Sequence, residues 1–173
     1  AGLWTDGYQP HCLIADGQVV ANISVNRMTF CWEGHPLSMI QLGTVMTRPD
    51  FRGRGLSRYL MERILQVYGG TVDLIYLFAN HTVLEFYPKF GFSPVEETLF
   101  SREMPAPSGE VPRRLDADAD FSLLLEMVHR GKPQGAFPMV GNRELSLFHL
   151  LGPYRDCLYL LPNLDVLAVA EYQ

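Results

Sequence analysis

The feature that most restricts the fold is a switch of hydrophobic period at residues 47–56. Before it, HCLIAD (11–16), VVANISVNRMTF (19–30) and LSMIQLGTVM (37–46) read as three strands, parted only by Gly17 and a turn over 33–36. Connections this short join antiparallel neighbours, so the chain opens as a meander. After the switch, Leu56, Leu60, Ile64 and Val67 recur at helical spacing, flanked by Met61, Leu65 and Tyr68, and Gly69 and Gly70 end the helix. VDLIYLF (72–78) is then a nearly unbroken apolar run, which predicts a central strand covered on both faces. Asn80 is placed to cap a helix over 81–87, Pro88 ends it, and EETLFSREM (96–104) predicts a returning strand.

The junction itself carries chemistry. Arg48, Arg52, Arg54, Arg58 and Arg63 crowd one strand-to-helix turn, out of twelve arginines in the chain. Free backbone N–H groups and the dipole at a helix start already favour an anion. Gly53 and Gly55 let the backbone come close to a ligand and take positive φ. Glycines and arginines together describe a cradle for a pyrophosphate. A Walker A loop would need a lysine, and none is present there. A dinucleotide fingerprint would need a third glycine, where Arg58 stands. Asp73 lies at the right distance for that fingerprint, but the preceding strand belongs to a meander rather than to a βαβ unit.

RGRGLS (52–57) resembles the [QR]xxGx[GA] signature of the GNAT superfamily of N-acetyltransferases, with Ser57 at the usual Gly or Ala position. LGTVMTRPDF (42–51) resembles that family's fourth strand and its lead into the loop. Asn80, Tyr87 and KFGF (89–92) resemble the second half of its acetyl-CoA site, N-x6-Y-x-K-x-G-F. The resemblance covers about residues 11–104. It implies an α+β fold of GNAT type, a mixed and mostly antiparallel sheet with flanking helices. It implies an acetyltransferase that uses acetyl-CoA, no metal, and a small-molecule or peptide amine as acceptor.

The resemblance also implies roles. The amides of Gly53, Arg54, Gly55, Leu56 and Ser57, aided by the Arg52 and Arg54 side chains, would hold the CoA pyrophosphate. Val45, Met46 and Thr47 would offer strand-edge groups to the pantetheine arm and thioester. Asn80 would bond the pantetheine region. Tyr87 would protonate the departing thiolate, a phenol of pKa about 10 serving a thiolate of about 8–9. No general base is assigned. The fourth-strand positions offer Gln41 and Thr44, neither of them a base, and Glu33, His35 and Asp50 are equally at home as turn residues. A non-catalytic acyl-CoA-binding module is the alternative.

Composition bounds the rest. A formal net charge of -5 argues against a general nucleic-acid binder and mildly favours cationic acceptors. No apolar run reaches the roughly 18 residues of a membrane span, and no signal peptide is visible. Cys12, Cys31 and Cys157 are scattered without a CxxC, which predicts reduced thiols and a cytoplasmic protein. His11 beside Cys12, and Cys31 four before His35, fit no common zinc spacing. The expected organisation is a GNAT-like acetyl-CoA-binding domain at 1–104, a Pro-rich linker at 105–112 and a smaller α+β segment at 113–173. A GNAT domain usually opens with a strand and two helices, which are missing from the start here. The segment after the linker supplies that order, with EVPRRL, helices at 121–130 and 143–151, and a hairpin of 157–161 with 165–172. It therefore resembles a degenerate GNAT half-domain, with a homodimer left open.

Overall fold

The computed structural model describes residues 5–101, 103, 109, 111–133 and 135–171. Its strands are β1 (Tyr8–Ala15), β2 (Gln18–Trp32), β3 (His35–Thr47), β4 (Leu74–Leu77), β5 (Arg113–Arg114), β6 (Met139–Val140), β7 (Leu158–Leu161) and β8 (Val166–Val169). Its helices are α1 (Leu56–Tyr68), α2 (Phe121–Arg130) and α3 (Arg143–Leu151). The described residues fall into two compact units, one of 5–96 with Pro133–Gly141 and one of 97–132 with 142–171. No helix is long and apolar enough to cross a membrane among the described residues.

In the first unit, β1, β2 and β3 form the antiparallel meander and β4 joins β3 in parallel. The parallel pairing follows from α1, which crosses between the two strands. β6 pairs with β2 at Thr29 and Phe30, beyond the point where β1 ends at Tyr8 opposite Asn26. Phe137 stacks on Phe30 there at 4.9 Å. Alternation along β2 puts Ala21, Ile23 and Val25 on one face, where they meet Ile40 and Leu42 of β3 and Leu60, Met61, Ile64 and Tyr68 of α1. These side chains form one closed core.

Two expectations change at this level. The helix stripe buries Tyr68 and leaves Val67 exposed. The Tyr68 hydroxyl donates to Gln9 Oε1 at 3.0 Å and pairs with His11 Nε2 at 3.1 Å, which bolts the helix end to β1. The apolar run 72–78 is not a covered central strand. Only Leu74–Leu77 is strand, it is the last strand of its sheet, and Leu74 is half exposed. The strand expected at 96–104 does not form over its described residues, and Val95, Leu99 and Phe100 lie open to solvent.

The second unit is a three-stranded antiparallel sheet, β5-β7-β8, with α2 and α3 between its first and second strands. Its core is Leu115, Ala117, Leu124, Leu150 and Leu158. The DADAD run at 116–120 is folded rather than merely solvated. Asp116 Oδ1 accepts from the amides of Asp118 and Ala119, and Asp120 accepts from the Asp116 amide. Arg113 and Arg155 neutralise Asp120 and Asp118.

Candidate active site

The loop after β3 opens with a single 3-10 turn, Pro49–Phe51. Gly53 and Gly55 follow, both left-handed at φ 74° and 76°. A Cβ built on either would meet nothing within 4 Å, so neither glycine is there for packing inside the chain. The backbone conformation requires them, and the space before them is free. Gly55 is the N-cap of α1 and supplies no side-chain cap. The first helical bond runs from the Tyr59 amide to Gly55 O, which leaves the amides of Leu56, Ser57 and Arg58 at the open end. The Ser57 hydroxyl reaches Thr47 Oγ1 at 2.6 Å and ties the first turn of the helix to the end of β3.

The arginines divide into two groups. Arg48 is consumed by structure, with Nε on Asp50 Oδ1 at 2.7 Å, a second bond to Oδ2, and Nη1 on Gln18. Arg52 donates to Thr47 O at 3.2 Å and Arg54 to Asp50 O at 3.1 Å. Both hold the loop by its carbonyls, and neither makes an ion pair among the described residues. Their charge beside uncapped amides stays available to an anion. Arg58 leans on Glu62 and lies 5.5 Å over the Phe90 ring, which links α1 to the segment carrying Tyr87.

A split in the sheet lies next to this loop. β3 pairs with β4 only through residues 39–42. Gly43, Met46 and Thr47 pair with β2 alone, Thr44 and Val45 bulge out between them, and the other edge of 43–47 faces no strand among the described residues. The ladder also breaks there, since Ser24 faces Gly43 while Asn22 faces Met46. Thr44 sits in this bulge at φ 48°, an unfavourable state for a β-branched residue that costs about 1–3 kcal/mol.

Beyond β4, Asn80 Oδ1 accepts from the Thr82 amide at 3.0 Å and its hydroxyl at 3.1 Å. The cap is real, but it starts a 3-10 turn, His81–Val83, and not the expected helix over 81–87. Asn80 Nδ2 makes no hydrogen bond among the described residues and can still donate. Tyr87 opens a second 3-10 turn, Tyr87–Phe90. Its ring is buried edge-on against Phe86 and Phe92 at 5.3 and 6.2 Å, in the cluster that also holds Leu42 and Val45. The hydroxyl has no partner among the described residues, and burial raises its pKa above the usual 10.0. The phenol therefore keeps its proton at neutral pH.

A model of the acetyltransferase (GNAT) domain family matches residues 4–95, more than half of the chain. The chain belongs to the GNAT acetyltransferase family. Its mixed, mostly antiparallel sheet with flanking helices is the GNAT α+β fold. A Trypanosoma brucei acetyltransferase is 22% identical at TM-score 0.45, over 53% of this chain and 65% of that one. Glucosamine-6-phosphate N-acetyltransferase from Arabidopsis thaliana is 17% identical at TM-score 0.48, over 56% of this chain and 67% of that one. A GCN5-related N-acetyltransferase from Ralstonia eutropha is 20% identical at TM-score 0.47, over 56% of this chain and 65% of that one. The chain thus spans about two thirds or less of the length of these relatives. No curated protein matches it in sequence.

Several groups drop out of the GNAT site. Glu33 and His35 flank the far turn of the β2–β3 hairpin. Met46 is eleven residues along β3 from His35, about 36 Å at the usual rise of a strand. Asp50 is held by Arg48, whose hydrogen bonds keep its carboxyl below the ordinary range, so it is a poor proton acceptor. A shallow cleft of about 280 Å³ at Arg27, Ser38, Val67 and Tyr68 lies at the opposite end of α1 from the loop. What the residue pattern does not reveal is the bulge and its anchor, Asn22. The one signal is a pair of polar residues, Asn22 and Ser24, alternating with Ala21, Ile23 and Val25 in the buried middle of the strand.

Proposed function

We propose that this protein moves an acetyl group from acetyl-CoA to a primary amine by direct transfer. The observation that carries the reading is the uncapped start of α1, with two left-handed glycines facing free space beside two arginines that lack a carboxylate partner. The pyrophosphate would lie on the amides of residues 53–57 with Arg52 and Arg54. The pantetheine arm would lie along the unpaired edge of Val45, Met46 and Thr47, with Asn80 Nδ2 donating to it. The amine nitrogen attacks the thioester carbonyl carbon, the C–S bond breaks, and Tyr87 gives its proton to the departing sulfur. The proton lost by the amine goes to solvent, since none of the carboxylates weighed for it, Glu33 and Asp50, is free and near the edge of β3.

A second reading is a module that binds acyl-CoA without turnover. Favouring it are Gln41 and Thr44 in place of a strand base, and an Asp50 already bound to Arg48. The two separate on turnover of acetyl-CoA with a panel of amines, followed by thiol release and the mass of the product. Acetylated amine is the expected result, and saturable binding with no product from any amine would favour the second reading.

The second unit is read as a degenerate GNAT half-domain without a CoA site. Supporting this are its strand–helix–helix–hairpin order and the lack of an RxxGxG of its own.

A further inference from the structure

We infer that Asn22 is a positioning residue for the transfer, holding the bulge at Thr44 in the shape that aims the free edge of β3 at the thioester. The inference rests on the acetyl-transfer reading above. Asn22 lies in the middle of β2 and is 7% exposed. Its Nδ2 donates to Thr44 O at 2.9 Å and to Ser24 Oγ at 3.0 Å, so both amide protons are used. Its Oδ1 accepts from Cys12 Sγ at 3.1 Å. Ser24 is fully buried, and its hydroxyl meets the Tyr8 hydroxyl at 2.9 Å. One side chain therefore joins three strands at the point where their register breaks.

The bulge needs such a clamp. Thr44 has a positive φ that its branched side chain opposes, so the conformation persists only where neighbours impose it. A bulge re-aims the groups that follow it on its strand. Here those are Val45 and Met46, at the start of the edge that β4 leaves unpaired. The Asn22 backbone pairs with Met46 in the ladder, but its side chain bonds only Cys12, Ser24 and Thr44, and reaches the free edge through Thr44. A purely architectural Asn22 would lower the melting temperature and leave the chemistry unchanged.

The test compares Asn22→Ala with Cys12→Ala, which removes only the partner of Oδ1. Three quantities are read: melting temperature, affinity for unacetylated CoA, and kcat at saturating acetyl-CoA. Asn22→Ala should bind CoA within about twofold of wild type, because the cradle at 52–57 is untouched. Its kcat should fall about ten- to a hundredfold, as small misplacements of reacting groups do. Cys12→Ala should keep a kcat near wild type. In a Thr44→Gly background, where the backbone angles no longer need imposing, Asn22→Ala should cost markedly less, a coupling that a double-mutant cycle measures. If Asn22→Ala does not fold, Asn22→Ser keeps a small polar side chain that is too short to reach Thr44 O, and the same loss of kcat is expected. An unchanged kcat in the folded variant, or CoA affinity falling in step with kcat, overturns the inference while wild-type turnover leaves the transfer reading intact. A wild-type protein that binds CoA and acetylates no amine overturns both.

Discussion

At the scale of single residues, Tyr87 makes the sharpest demand. Tyr87→Phe deletes one hydroxyl that bonds nothing among the described residues, so the fold should barely notice. CoA affinity should stay near wild type while kcat drops about ten- to a thousandfold. An unchanged kcat with chemistry rate-limiting would remove Tyr87 from the mechanism. Burial also fixes the direction of its pH dependence. The group works protonated, and its pKa lies above 10.0, so no loss of kcat from this acid should appear until the pH passes about 10. Tyr87 and Asn80 were legible in the sequence as residue types at a fixed spacing. Thr44 and Asn22 were not, because a positive φ at a threonine, and the hydrogen bonds that hold it there, leave no mark in residue order. The arginine cluster was half legible. Its density is plain, but only the structure shows Arg48 spent on Asp50 and Gln18 while Arg52 and Arg54 bond carbonyls and make no ion pair among the described residues.

At the scale of elements, α1 joins the two ends of the account. Its start is left open for an anion, and its far end is fastened to β1 through Tyr68, Gln9 and His11. Burial lowers the pKa of His11 below its usual 6.5. The unfolded chain then takes up a proton more readily than the folded one. This contribution to stability is complete above about pH 6.5 and is lost as the pH falls below it toward the folded value. Thermal melts across pH 5–8 should therefore show a decline on the acid side that His11→Gln reduces, and an identical pH dependence in the two proteins would contradict this role. The three meander strands and α1 were readable because period and turn residues agree there. β4 was not, since a short apolar run looks the same in a covered strand and at a sheet edge. The segment after Asn80 departs from its expected helix for a related reason. A good cap begins a turn, but a Pro at 88 and two further aromatics favour short 3-10 pieces over a helix.

At the scale of the whole molecule, the chain pattern places a change of unit at the prolines of 105–112, the described residues divide at 96/97, and the pattern conceals that Pro133–Gly141 belongs with the first unit. β6 is only Met139–Val140, too short for its pairing to be read from composition. What the first unit contains by itself is a sheet split beside a helix start that faces free space, and the central claim is that acetyl-CoA binds there. Calorimetric titration of acetyl-CoA into the wild-type protein and Gly55→Glu tests that claim most directly. The new Cβ meets nothing within 4 Å inside the chain, though its φ of 76° will strain the backbone, so Gly55→Glu is first checked for a cooperative melt. The wild type should bind saturably and gain about 2.7 kcal/mol of stability at a hundredfold excess over Kd. The folded variant should lose that binding to bulk and to charge repulsion with the pyrophosphate. Equal affinity in the two proteins would contradict the claim.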